Sequence, residues 1–294
     1  MSGYLFGDPT MVYYVAPTGE QLHLSGMKPS GEPGIWLGSG ADGLGHVDVK
    51  AVWDAAAIDE GEEYVGGTID HAELDVPIHI LGTSNSDFQR RRQWLKRLMP
   101  RDRQGFLCIY QNALGWRWVA TRLGSMKPAY GSDPANARGA TFDTILLVDK
   151  PHARSANHTA EWKYTGTPAG SLSLYPGDEM DGWPQLIFTG PGELRLIYEG
   201  VDEALVSREM DVTLPAITAG KEIFIDTDMA KQTVRERSVQ SADRGTSLWQ
   251  KMRNKHWPYP IRKGQVTRIR FQITGAGTGT KLWATVPRRH EGLL

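Results

Sequence analysis

The stretch Val266-Thr267-Arg268-Ile269-Arg270-Phe271-Gln272-Ile273 alternates apolar and polar side chains. From Arg268 onward the apolar residues fall on one side of an extended chain and the arginines on the other. A period of two residues indicates a strand of an antiparallel sheet that buries one face and leaves the other in water. The end of the chain is therefore predicted to be β structure.

The rest of the second half shows similar short apolar runs between turns rich in Gly, Pro and Asp, with no helical pattern between them. The runs are Ser171–Leu174, Gln185–Phe188, Leu194–Tyr198, Met210–Leu214, Glu222–Ile225 and Lys281–Val286. Such an order predicts an antiparallel β-sandwich. The polar, aperiodic stretch Lys150–His158 lies near the midpoint and predicts a domain boundary, with domains at 1–154 and 155–294.

The first half is predicted to be mainly β with one helix. Helical spacing of apolar residues, N-cap candidates before Asp87 and a following Pro100 predict a helix from about Ser86 to Met99. Hairpins are predicted at Met11–Leu24 and at Phe106–Arg122. Between Gly26 and Gly45 stand seven glycines and two prolines, which predict a long loop or arm with Trp36 in its only apolar segment.

The net charge of −1 hides four blocks of alternating sign. Counting Lys, Arg, Asp and Glu, residues 1–83 carry −11, residues 84–150 carry +7, residues 151–230 carry −8 and residues 231–294 carry +11. The near-zero total argues against a general nucleic-acid binder. The alternation suggests complementary patches within each half.

Several function classes find no support in the residues. A single cysteine, Cys108, allows no intrachain disulfide, and its apolar surroundings favour a small buried hydrophobe over a nucleophile. Asp178-Glu179-Asp181 and Asp226-Thr227-Asp228 fit turns better than a cation site. His71 and His79 could share a strand face but lack further zinc ligands. We expect no catalytic residues, no metal and no cofactor.

Three segments of the second half resemble one family. They are similar to the C-terminal domain of the distal tail proteins of long-tailed bacteriophages. The segments are Pro176-Gly177-Asp178, Trp183-Pro184-Gln185-Leu186-Ile187-Phe188-Thr189-Gly190-Pro191-Gly192 and Ala219-Gly220-Lys221-Glu222-Ile223-Phe224-Ile225-Asp226-Thr227. The order of elements in the first half matches the N-terminal domain of that family. The resemblance covers almost the whole chain.

The resemblance implies a structural protein of the virion tail tip. It implies an N-terminal, β-barrel-like, ring-forming domain and a C-terminal, galectin-like sandwich. Six copies would form an adaptor ring between the tail tube and the baseplate hub, and DNA would pass through the lumen without specific binding. The implied partners are other copies of the chain, the tail tube protein, a tip hub or tail-associated protein, the tape-measure protein and the receptor-binding protein. We expect assembly from the host cytoplasm, without a signal peptide or membrane insertion.

The charge blocks suggest where neighbouring subunits could meet. One hypothesis pairs an acidic segment with the basic helix across the subunit boundary; the candidates are Glu60, Glu62, Glu63, Arg90, Arg91, Arg92, Lys96 and Arg97. The same charges could instead pair within one subunit or only solvate its surface, and the helix could line the lumen. Trp36 could clamp a neighbour, or it could belong to a free surface loop.

A second class of function is a carbohydrate-binding protein of the tail tip that contacts cell-wall glycans. Galectin-like sandwiches can present aromatic side chains to sugars, and the candidates are Trp183, Trp249, Trp257 and Trp283. Core packing is the competing explanation for each, because tryptophan is mostly buried in folded proteins.

Overall fold

The computed structural model describes residues 10–26, 34–45, 49–54, 63–130, 133, 136–202, 204–239, 241–252 and 255–294. The chain divides into two compact units: unit 1 is Met1–Ser155 with Glu291–Leu294, and unit 2 is Ala156–His290. The predicted division had placed residue 155 and the last four residues in the second domain. The tail belongs to unit 1 because Leu293 is buried in its core and donates its backbone N–H to the carbonyl oxygen of Leu44 at 2.8 Å.

Unit 1 is built mainly from strands and, within the described residues, one α-helix. Its elements are β1 (Met11–Val15), β2 (Gln21–Ser25), β3 (Ile35–Leu37), β4 (Lys50–Asp54), β5 (Glu63–Thr68), β6 (Ala72–Asp75), β7 (Ile78–Leu81), α1 (Asn85–Leu98), β8 (Gly105–Gln111), β9 (Gly115–Ala129), β10 (Gly139–Val148) and β11 (Ala153–Arg154).

The main sheet of unit 1 curls into a nearly closed barrel. Its strands follow the antiparallel order β2-β1-β8-β9-β10-β7-β3, and the outermost strands β2 and β3 approach each other. Alternate residues of these strands point inward, among them Tyr14, Leu22 and Ile109, and form the core of the unit. β6 pairs with β10, β11 pairs with β9, and β4 pairs with β5 in a separate sheet.

The glycine-rich stretch was predicted to be a loop or arm throughout, but part of it forms a strand. Ile35–Leu37 forms β3, which pairs antiparallel with β7, and buried Ile35 anchors it to the core. Gly34 adopts a φ of +90°, and a Cβ at this position would stand 2.2 Å from the carbonyl oxygen of Leu81. Glycine is therefore required where the chain enters β3. Residues 27–33 lie outside the described residues.

The predicted helix is confirmed as α1. The Ser84 hydroxyl caps it by accepting a hydrogen bond from the backbone N–H of Asp87 at 3.1 Å. Its buried side chains Phe88, Leu95 and Leu98 recur at helical spacing and pack into the core of unit 1. Its basic side chains therefore lie on the remaining faces.

Within the residues that the structure describes, unit 2 consists of strands and one 3₁₀ turn. Its elements are β12 (His158–Lys163), β13 (Ala169–Leu174), β14 (Gln185–Thr189), β15 (Glu193–Val201), β16 (Ser207–Thr213), β17 (Lys221–Asp226), β18 (Thr233–Ser238), β19 (Thr246–Ser247), the 3₁₀ turn Trp249–Met252, β20 (Thr267–Thr274), β21 (Lys281–Val286) and β22 (Arg289–His290).

These strands form the predicted antiparallel sandwich. One sheet has the order β12-β21-β14-β17-β18-β19 and the other the order β13-β20-β15-β16. A single apolar cluster contains residues of both sheets, including Leu186 and Ile225 from the first and Leu196 and Ile269 from the second. Burial of this cluster between the two inner faces holds unit 2 together.

Candidate functional site

The first candidate surface is the basic helix, and two of its arginines are used inside the unit. Arg91 and Arg90 both form ion pairs with buried Asp87, and the Arg91 Nε lies 3.0 Å from its carboxylate. The backbone N–H of Thr83 donates to the same carboxylate at 2.9 Å. This hydrogen bond, followed by the contacts with Arg91, lowers the pKa of Asp87 to about 2. Asp87 therefore stays ionised and organises the start of the helix.

The other basic residues of α1 divide into one that packs and two that are exposed. The Arg92 guanidinium lies over the ring of Phe142, 5.9 Å from its centre, and is half-buried. Lys96 and Arg97 are exposed in the last turn, where positive charge interacts favourably with the helix dipole. Only Arg90, Lys96 and Arg97 remain well exposed for a neighbour, fewer than the sequence suggested.

The structure does not bring the acidic partners to this helix. Glu60 and Glu62 lie outside the described residues, and Glu63 is placed only as the first residue of β5. The pairing of the acidic segment with α1 across a subunit boundary stays a prediction.

Trp36 lies on an edge strand rather than on a free arm. Its side chain is 42% exposed, and its ring centre is 5.7 Å from that of His79, its cross-strand partner on β7. His79 forms a hydrogen bond with the hydroxyl of Thr141 at 2.7 Å. These side chains border a wide, open depression of about 510 Å³, which Leu81 and Arg138 also line. Trp36 is thus held in place and exposed at once.

The sequence did not point to a second apolar surface, on the outside of β2, β1, β8 and β9. We call it the aromatic face, and it comprises Tyr13, His23, Phe106, Cys108, Tyr110, Trp116 and Trp118. Phe106 and Trp116 are 41% and 42% exposed, and the others are half-buried. Four of the rings form a contacting cluster, in which the ring centre of Trp116 lies 5.2 Å from that of Tyr13 and 5.1 Å from that of Tyr110, and His23 packs on Tyr13.

The first residues of β9, Trp116 to Trp118, reverse the usual pattern, in which apolar side chains face the core and charged side chains face water. Arg117 is buried and donates a hydrogen bond from its guanidinium to the carbonyl oxygen of Gly292 at 3.2 Å, whereas Trp116 and Trp118 point outward. An outward tryptophan on each side of a buried arginine is the signal that could have revealed the face. This signal can be interpreted only when it is known which side of the strand faces the core.

Burial shifts the pKa of two groups of the aromatic face, Cys108 and His23, in the direction that favours their neutral forms. Burial raises the pKa of the Cys108 thiol to about 11, although the residue was predicted to be buried and is only half-buried on the outer side of β8. His23 packs edge-on against Tyr13, with ring centres 4.1 Å apart, and burial lowers its pKa. The face therefore presents rings and neutral polar atoms near pH 7.

The tryptophan candidates for glycan contact in unit 2 have different environments. Trp257 is fully buried in the core, so its assignment as a surface contact is wrong and core packing explains it. Trp249 is half-buried against the same core. Trp183 lines an open cavity of about 880 Å³ together with Asp181 and Tyr259, and Trp283 is 39% exposed on β21.

The acidic clusters of unit 2 serve local structure. Asp181 accepts a hydrogen bond from the backbone N–H of Lys263 at 2.8 Å, and Asp228 accepts one from that of Ala230 at 3.1 Å. Asp226 accepts from the side-chain amide of Gln185 at 3.0 Å. No group of three potential metal ligands occurs among the residues that the structure places. Turn and strand chemistry thus accounts for these carboxylates.

The two histidines predicted to share a strand face lie on separate segments. His71 precedes β6 and lies 4.0 Å from the carboxylate of Glu73, whereas His79 belongs to β7.

In the part of the chain that the structure describes, no helix is both long enough and apolar enough to cross a membrane.

Comparison with known proteins identifies the fold. No family model and no curated protein matches the chain. Among solved structures it is similar to the Dit protein of SPP1, described as a paradigm of the hub adsorption apparatus in phages that infect Gram-positive bacteria. The identity is 13% and the TM-score 0.60, over 94% of this chain and 98% of Dit.

Two structures of the phage P2 baseplate in its activated conformation, one with Sr and one with Ca, are also similar at 9% identity, with TM-scores of 0.48 and 0.49 and coverage of 96% of this chain. The likeness to SPP1 Dit shows that the chain has the Dit fold over nearly its whole length. The predicted mainly β fold and the resemblance to distal tail proteins are confirmed at the level of fold.

Proposed function

We propose that the chain is a structural protein of a phage tail tip that assembles into a homohexameric adaptor ring. The ring would join the tail tube above to the baseplate hub and host-recognition proteins below, and DNA would pass through its lumen. The observation that carries this proposal is the likeness to SPP1 Dit, which extends over both units and nearly the full length of both chains. As part of the same proposal, the chain carries out no catalysis and needs no cofactor.

The surface chemistry of unit 1 supports a self-assembling role. Exposed patches of large apolar side chains can mark protein–protein contacts, and Phe106 and Trp116 of the aromatic face are exposed. Trp36 and Leu81 are a second exposed apolar pair, on β3 and β7. An assembly of identical subunits would cover such surfaces.

The test is the mass of the purified full chain, measured by light scattering alone and with its tail tube protein, together with electron microscopy of the particles. We expect a mass six times that of the chain and a ring with a central hole. A monomer under both conditions would overturn the proposal.

A second candidate function is glycan binding by unit 2. It rests on Trp183, whose half-buried ring lines the 880 Å³ cavity beside the polar side chains of Asp181 and Tyr259. An aromatic ring next to hydrogen-bonding groups can hold a sugar by its apolar face and its hydroxyls. Binding of the full chain to a glycan array, lost in Trp183→Ala and kept in Trp249→Ala, would support this function. Absence of binding to any cell-wall glycan would contradict it.

A further inference from the structure

None of the seven side chains of the aromatic face is Lys, Arg, Asp or Glu, and its charged border is formed by exposed Arg154 of β11, which pairs in register with Trp118, and by Arg122 farther along β9. Among the outward positions of β1, β2, β8 and residues 116–120 of β9, none is Lys, Arg, Asp or Glu. Two tyrosines, two tryptophans and a phenylalanine make the surface rich in π-electrons. Such rings bury large areas at low entropic cost and attract cations to their faces.

A second surface of unit 1 has the complementary chemistry. We call it the Trp36 recess, and it is the open depression bordered by Trp36, His79, Leu81, Arg138 and Thr141. Leu81 is 52% exposed. Arg138 is exposed and forms no ion pair with any described residue. The recess is thus a wide, open depression of mixed polarity that exposes Trp36, Leu81 and the guanidinium of Arg138.

The two surfaces lie on opposite arcs of the barrel. In the strand order β2-β1-β8-β9-β10-β7-β3, the aromatic face is centred between β1 and β8, and the recess is centred on β7. Because β2 and β3 approach each other, the seven strands nearly close into a circle. The two centres are then separated by the same number of strands in both directions around the barrel. The surfaces therefore point away from each other.

We propose that the aromatic face of one copy of this chain packs into the Trp36 recess of the next copy, so that these two surfaces form the ring contact. This inference rests on the proposed ring. A closed ring of identical subunits needs two different, complementary surfaces that point in different directions. The aromatic face supplies the rings, and the recess supplies the open depression and the Arg138 cation. The arginines of α1 are poorer candidates because Arg90 and Arg91 already pair with Asp87.

The test uses two single substitutions and a mixture. Trp116→Lys places a cation opposite Arg138, and Leu81→Lys places one inside the recess; both positions are exposed, so both variants should fold. We expect each variant alone to be monomeric where the wild type forms rings. An equimolar mixture should yield a dimer, because one intact face and one intact recess remain. The control, Trp283→Lys, changes an equally exposed tryptophan of unit 2 and should leave rings intact.

The outcomes separate this inference from the proposed function. A wild-type chain that never forms rings contradicts the function itself. Wild-type rings that persist in both variants overturn the inference alone, as does loss of rings in only one variant. Rings that persist while binding of the tail tube protein is lost would assign the aromatic face to that protein and also overturn it.

A measurement on the unmodified chain guards against misfolded variants. Cys108 lies in the aromatic face, paired in register with Tyr13 and Trp118. Its alkylation at pH 9.5 should slow at least tenfold when dilute subunits assemble into rings. An equal rate in both states would show that the face stays open in the ring.

Discussion

The outer sheet faces of the two units have opposite chemistry on the same kind of antiparallel backbone. The outer side of β13, β20, β15 and β16 in unit 2 carries ion pairs between strands, such as Arg195 with Asp211 and Arg270 with Glu209. The seven side chains of the aromatic face in unit 1 include no Lys, Arg, Asp or Glu, and Arg154 borders them beside Trp118. The first surface suits permanent contact with water, whereas the second exposes rings that gain from being covered. This difference supports the proposal that unit 1 carries the surfaces of the ring contact.

The comparison also concerns where each unit keeps its tryptophans. Unit 2 buries Trp257 completely, while unit 1 exposes Trp36 and Trp116. A buried ring contributes to the stability of the single subunit. An exposed ring contributes only when a partner removes it from water.

The largest effect on stability is expected for the buried tryptophan, Trp257. Trp257→Ala should lower the free energy of unfolding of unit 2 by about 3–5 kcal/mol, because it leaves a large cavity in the core. The matched control, Trp283→Ala, should change it by less than about 1 kcal/mol. Urea unfolding followed by circular dichroism measures both. Equal losses would show that burial does not distinguish these tryptophans.

The next effect probes the aromatic face through its thiol. The pKa of Cys108 is raised from 9.0 to about 11, so its thiolate fraction at pH 8 should be about a hundredth of that of an unperturbed cysteine. Alkylation by iodoacetamide should be slowed by about the same factor and accelerate with pH until about pH 11. Reaction at the rate of a free cysteine would mean that the face does not bury this residue.

A smaller effect on stability is expected in α1, the helix that is a poorer candidate for the ring contact than the aromatic face. Ser84→Ala removes the hydroxyl that accepts from the Asp87 N–H, and should cost about 1 kcal/mol of unfolding free energy in unit 1. Ser86→Ala, at an exposed position of the same helix, is the control and should cost nothing. Thermal unfolding compares them. Ring formation should survive both changes.

The smallest effect is expected on the charged face of unit 2. Asp211→Asn breaks the pair with Arg195, and exposed ion pairs contribute little because water and salt screen them. The loss of stability should be smaller than that of Ser84→Ala and should vanish at high salt. A large, salt-independent loss would show that this face is more than a solvated surface.

Much of the fold could be predicted from local patterns. The alternation in β20 and the capped, Pro-terminated helix pattern around α1 identified these elements because such signals lie within a few residues of one another. Strand β3 was missed because a three-residue strand among glycines has no period of its own. It forms because β7 and the core stand beside it.

The candidate site could be predicted only in part. The basic residues of α1 were visible as a charge block, but their pairing with Asp87 and the stacking of Arg92 on Phe142 depend on geometry. Trp257 was one of four candidates for glycan contact with core packing as the competing explanation, and it lies in the core. The aromatic face was missed because its residues come from β1, β2, β8 and β9 and meet only across the strands.

The sequence by itself determined that this chain is mainly β, where its helix begins and ends, and that each half alternates in charge. Only the tertiary structure decided which side of each strand faces the core. A period of two residues is the same for both faces of a strand, so Trp116-Arg117-Trp118 could have been oriented either way. Arg117 lies inside because the carbonyl oxygen of Gly292, from the last residues of the chain, is there to accept its hydrogen bond. That choice turns both tryptophans outward and creates the aromatic face.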